Sequence, residues 1–100
     1  MELTARKLLT VVTEAALEVT LVREIEALGA HGYTITDARG KGSRGKRDAT
    51  WPKNANIRLE VLCGADTALA ICAALSERYS DNYSMVICVA DVDVLRPEKF

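Results

Sequence analysis

The spacing of apolar positions divides this chain into six segments. Lys7–Val12 is a short apolar run with two β-branched residues, the pattern of a buried strand. Leu17, Leu21, Ile25 and Leu28 then recur at helical spacing, with Glu18, Arg23, Glu24 and Glu26 elsewhere around the cylinder. Thr13 is placed to cap that helix through its hydroxyl, and Gly29 to end it in a left-handed conformation. Tyr33–Ala38 is rich in β-formers and reads as a second strand. Ile57, Leu59, Val61 and Cys63 alternate with Asn56, Arg58 and Glu60, which predicts a third strand with one face inward. Gly64 breaks it, Asp66 can cap, and Ala68, Cys72, Leu75 and Tyr79 line one face of a second helix. Ser80–Asn82 reads as a turn and Met85–Leu95 as the last strand, with Asp91 and Asp93 alternating against Val92 and Val94.

The order β-α-β-β-α-β predicts an α+β, ferredoxin-like fold: a four-stranded antiparallel sheet with two helices on one face. With 100 residues the chain is one domain, 1–100. Connections elsewhere are short, so the stretch 39–54 between strands two and three stands out as a long loop. It contains Gly40, Gly42, Gly45 and Pro52, follows neither period, and has the length at which loops are usually functional or disordered.

Composition supports a folded protein, since 49 % hydrophobic and 27 % charged residues argue against intrinsic disorder. No apolar stretch is long enough for a membrane helix, and Met1–Lys7 lacks the order of a signal peptide, so a cytoplasmic location is expected. Cys63, Cys72 and Cys88 form no CxxC pair and sit among apolar neighbours; they read as small buried hydrophobes. The net charge of −1 conceals an asymmetry. Arg39–Lys53 holds six basic residues and one acid, giving +5, against −6 on the rest of the chain. Charge confined to one loop differs from the spread positive face of a general nucleic-acid binder.

Within that loop, the closely spaced glycines of Gly40-Lys41-Gly42-Ser43-Arg44-Gly45-Lys46-Arg47 allow backbone N–H groups to converge on an anion. Ser43 adds a hydroxyl, the lysines point charges, and Arg44 or Arg47 a two-pronged grip on phosphate or carboxylate. The competing reading is a solvated loop whose charges confer solubility. Gly40–Lys46 also fits the start of a Walker A motif, but Arg47 stands where a Mg²⁺-binding hydroxyl is required and no helix pattern follows. RNA-recognition domains share the element order, yet neither Lys7–Val12 nor Asn56–Cys63 carries an aromatic residue on which a base would stack. His31, the only histidine, reads from pattern alone as a hydrogen-bonded surface residue. Asp91 and Asp93 read as edge-strand acids that discourage sheet-to-sheet association, and Trp51 either folds back on the domain or anchors a partner. No nucleophile–base pairing is visible.

Four stretches, K-L-L-T-V-V-T-E, L-G-A-H-G-Y-T-I, G-K-G-S-R-G and N-I-R-L-E-V-L, resemble the PII-like signalling family. The likeness runs from about Lys7 to Leu95 and is closest to the inorganic-carbon branch: the bicarbonate-transporter regulator and the carboxysome-associated PII proteins. It implies a homotrimer with sheets around a threefold axis, adenine nucleotides in the clefts between subunits, and a long loop that responds to them. Carried over by position, Gly40, Lys41, Gly42, Ser43 and Arg44 form the loop base around phosphates or bicarbonate, with Arg47 close enough to join. Glu60 to Leu62 match the strand that reads adenine, and His31 stands where relatives often carry threonine beside the nucleotide. A short turn around Ser80–Tyr83 replaces the lysine-bearing loop that grips triphosphate in nitrogen-sensing relatives, which favours ADP or AMP over ATP. The chain reaches Phe100 without a cysteine-containing tail, which favours the carboxysome-associated subgroup.

The expected protein is therefore a non-enzymatic cytoplasmic sensor, in the carboxysome-associated reading. It binds ADP or AMP, and bicarbonate with it, and regulates a protein of carbon uptake or carbon fixation. It does not bind nucleic acid or insert into membranes. Two alternatives stand beside it: a small nucleotide-hydrolysing enzyme built on the glycine-rich loop, and a structural trimer whose basic loop docks an acidic partner.

Overall fold

A computed structural model describes residues 1–42, 45–46, 55–79 and 84–100, with backbone alone at 41–42 and 45–46. In chain order its strands are β1 (Thr4–Glu14), β2 (Thr34–Ala38), β3 (Lys41–Gly42), β4 (Gly45–Lys46), β5 (Asn56–Cys63) and β6 (Val86–Val94). The four longer strands form one antiparallel sheet in the order β2-β5-β1-β6. Helices α1 (Glu18–Ala27) and α2 (Ala65–Tyr79) supply the second layer. This is the ferredoxin-like arrangement that the periods predict.

Alternation decides which sheet face is covered. Leu9 and Val11 from β1, with Leu59, Val61 and Cys63 from β5, point at the helices and are buried with Leu21 and Ile25 of α1 and Ile71 and Leu75 of α2. Full burial of each such leucine or isoleucine contributes about 1.5–3 kcal/mol. The opposite face carries no helix. Across it the register aligns Leu62, Leu8 and Ala90 in one row and Val12 with Val86 in another, and Val86 is half exposed.

Four expectations need correction. β1 runs to Glu14, so Thr13 is a fully buried strand residue whose Oγ1 has no hydrogen-bond partner, and not a cap. A 3₁₀ turn at Ala15–Leu17 intervenes, and α1 starts at Glu18 without a side-chain cap. Gly29 does end α1, at φ +109°. The stretch 39–54 is not wholly irregular: β3 and β4 pair antiparallel, Lys41 with Lys46 and Gly42 with Gly45. Two-residue strands rich in glycine carry no hydrophobic period, so the pattern is blind to them. Ile71 joins the buried face of α2, where Cys72 is only half-buried. Of the three thiols only Cys63 is fully buried; Cys88, on the uncovered sheet face opposite Thr10, is exposed. Its apolar neighbours made a solvent-facing strand position look like core.

Candidate functional site

The sheet register determines which of the candidate residues can meet. Thr34 on β2 lies opposite Glu60 on β5, and Leu62 lies opposite Leu8 on β1. Just there, a cavity of about 260 Å³ opens between Gly32, Tyr33 and Thr34 on one side and Glu60, Leu62 and Leu8 on the other, with Phe100 closing it. Glu60 and Leu62, both candidates from the sequence, therefore line one pocket. Glu60 is half-buried and ion-paired to Arg58 through Oε2 and Nη2 at 3.4 Å. His31 is exposed and immediately precedes the Gly32 wall.

Five lining residues escaped the candidate list: Leu8, Gly32, Tyr33, Thr34 and Phe100. Tyr33 stood inside the quoted G-Y-T motif without a role. Phe100 follows a short 3₁₀ turn, Pro97–Lys99, beyond the last periodic element, where no sequence pattern could place it. Together they give the cavity two aromatic walls, a hydroxyl from Thr34 and one carboxylate. Such a lining suits a flat, hydrogen-bonding heterocycle and repels a phosphate.

The loop-base candidates are elsewhere. Gly40 is exposed, and a Cβ added there would meet nothing within 4 Å. Lys41 and Gly42 form β3, with Lys46 in register opposite Lys41. Ser43, Arg44 and Arg47 lie outside the described residues, as do Trp51 and the turn at 80–83. Four strand steps from Thr34 to Ala38, at about 3.3 Å each, set the cavity roughly 13 Å from the far end of β2, and Gly40 lies beyond that end. Within one chain the structure thus does not bring Glu60, Leu62 and His31 together with Gly40 and Lys41.

Asp91 is ion-paired to Lys7 across the β1–β6 ladder, which occupies it on the edge strand. Burial raises the thiol pKa of Cys63 and of Cys72, each helped by a neighbouring cysteine, so both are poor nucleophiles at neutral pH. Among the described residues no group of three His, Cys, Asp or Glu side chains gathers to hold a metal ion. No described helix is long and apolar enough to cross a membrane.

Comparison with known proteins adds three findings. A family model described as nitrogen regulatory protein P-II matches residues 6–99. A PII-like signalling protein of Thermus thermophilus is 47% identical over 100% of this chain and 99% of its own, with a TM-score of 0.87. CPII from Thiomonas intermedia K12, solved with ADP, AMP and acetate, is 25% identical over 100% of this chain and 98% of its own, with a TM-score of 0.88. Solved with ADP and bicarbonate, CPII matches 99% of this chain and 97% of its own at 26% identity and a TM-score of 0.88.

Proposed function

The chain belongs to the nitrogen regulatory protein P-II family, and from that premise we propose that it is a trimeric, non-catalytic sensor of adenine nucleotide, ADP or AMP, with bicarbonate as a second ligand. The observation that carries this reading is the separation of its two half-sites. A base-binding cavity at the Thr34 end of β2 and an anion-binding loop base past its Ala38 end lie at opposite ends of that strand, which favours a nucleotide held by two chains. They serve it when the cavity of one protomer meets the loop base of the next. Adenine enters between Tyr33 and Phe100, with its amino group toward Glu60. The phosphates extend to the neighbour's Gly40–Arg44 and Arg47.

The uncovered sheet face supplies the surface for assembly. Its aligned Leu62, Leu8 and Ala90, with Val12 and Val86, form apolar rows that a chain of this size gains by burying against copies of itself. CPII, solved with ADP, AMP and bicarbonate, supports the choice of ligands. We assign the partner to carbon uptake or fixation and the location to the cytoplasm, in the carboxysome-associated reading, on the same ground of likeness to the inorganic-carbon branch. Calorimetric titration with AMP, ADP, ATP and cyclic AMP, each with and without bicarbonate, tests the reading. ADP or AMP should bind most tightly, and bicarbonate should change the affinity. Absence of heat from every nucleotide would overturn it, and multiple turnover of ATP would favour an enzyme.

A further inference from the structure

An ion pair on the uncovered sheet face lies beside the nucleotide cavity. Alternation along β5 turns Leu59 and Val61 toward the helices, so Arg58, Glu60 and Leu62 face the other way. Residues two apart on a strand share a face, and Arg58 Nη2 stands 3.4 Å from Glu60 Oε2. The flanking strands place uncharged residues beside both: Thr34 and Thr10 beside Glu60, Thr36 and Val12 beside Arg58. Neither side chain has another ion pair or hydrogen bond among the described residues.

The two side chains are placed differently. Glu60 is 31% exposed and lines the cavity, whereas Arg58 is 52% exposed and stands outside the lining. The pair engages Oε2 only. Oε1 has no partner among the described residues and remains open to solvent, so it can accept from a ligand.

A base that fills the cavity strips water from Glu60. An unpaired carboxylate resists such covering, because losing its water is costly, and at an open face it can turn away to solvent. The Arg58 guanidinium opposes both effects: it offsets the covered charge and pins Oε2 to the sheet face. Oε1 is then held where an amino group on the base can donate to it. Resting on the nucleotide reading above, we propose that Arg58 is a positioning residue for base selection: through Glu60 it makes the site select a purine that carries a 6-amino group. Arg58 acts through the carboxylate alone, without contact to the base.

Calorimetric titration of the full-length protein tests this by comparing ADP with purine riboside 5′-diphosphate, the same molecule with hydrogen in place of the 6-amino group. The unaltered protein should prefer ADP by at least about tenfold, as expected for one hydrogen bond to a charged group. Arg58→Met keeps an unbranched side chain at an exposed position and removes its charge. It should bring the preference below about threefold, chiefly by weakening ADP, and Arg58→Lys should keep most of it. In a Glu60→Ala background the two ligands should bind about equally, and adding Arg58→Met should leave that ratio unaltered. The ratio is taken within each variant at one protein concentration, so a change in assembly moves both affinities alike. A preference unchanged by Arg58→Met, or an Arg58→Met effect on the ratio that persists without Glu60, would overturn the proposal and leave nucleotide binding standing. Absence of ADP binding by the unaltered protein would overturn the nucleotide reading and this inference with it.

Discussion

Removing one hydroxyl, in Tyr79→Phe, isolates the energetics of the buried carboxylate between the helices. The ring of Tyr79 is 8% exposed and belongs to the core, while its hydroxyl bonds Glu24 Oε2 at 3.0 Å. Because Oε1 already lacks a hydrogen bond, the substitution takes away the bond that this nine-tenths-buried carboxylate makes through Oε2. A hydrogen bond to a charged group is worth about 1.5–3 kcal/mol, and an orphaned buried acceptor costs about 1–3. The Arg78 ion pair to Oε1 remains and still neutralises the carboxylate, which places the expected loss at the low end, about 1.5–2 kcal/mol. For a domain of this size each kcal/mol shifts the melting temperature by about 4–8 °C, so thermal unfolding should move down by roughly 6–16 °C. Melting curves must be compared at one protein concentration, because assembly adds a mass-action contribution. The same substitution in a Glu24→Ala background should cost far less, since the partner is already gone. An unchanged melting curve for the single variant, or an equal shift in both backgrounds, would refute the reasoning.

Other consequences follow from the same structure. Thr13→Val keeps the shape of a fully buried side chain and removes a hydroxyl without a partner, so it should raise stability to urea by about 1 kcal/mol; a loss would show that Oγ1 is satisfied. Burial raises the Cys63 and Cys72 thiols, so alkylation at both should lag a model thiol at ordinary thiol pH and catch up only as pH rises further. Cys88, exposed on the face assigned to assembly, should instead react more slowly as protein concentration rises through trimer formation, and a concentration-independent rate would contradict that interface. Arg44→Ala should weaken ADP affinity at least about tenfold, a loss of about 1.4 kcal/mol, while leaving the trimer intact in light scattering; unchanged affinity would move the phosphates away from the loop.

Strands, helices and their order were legible because burial on one face imposes a period. Ile57, Leu59, Val61 and Cys63 alternate, and all four are buried on β5. Leu21 and Ile25 recur at helical spacing, and both are buried on α1. Elements without a buried face were not legible. The β3–β4 pair has two residues per strand and no apolar stripe, and Thr13 sits inside a strand although its residue type favours caps. The cavity was half visible. Glu60 and Leu62 follow from the strand, but their meeting with Tyr33 and Phe100 depends on the register between β2 and β5 and on the path of the chain after β6. The grouping of His31 and Glu60 with Gly40 came from the family resemblance, which puts them in a cleft between subunits; within one chain, Thr34 opposite Glu60 and the Ala38 end before Gly40 lie at opposite ends of β2.

The central claim is that one nucleotide is shared between neighbouring protomers. Sedimentation of the protein with a fluorescent ADP, over a dilution series that crosses trimer dissociation, tests it most directly. The label should travel with the trimer at one ADP per chain, leave the monomer unlabelled, and at saturation pull the equilibrium toward trimer, as linkage requires of a ligand that binds only the assembled state. ADP carried by the monomer with the affinity of the trimer would contradict the shared site.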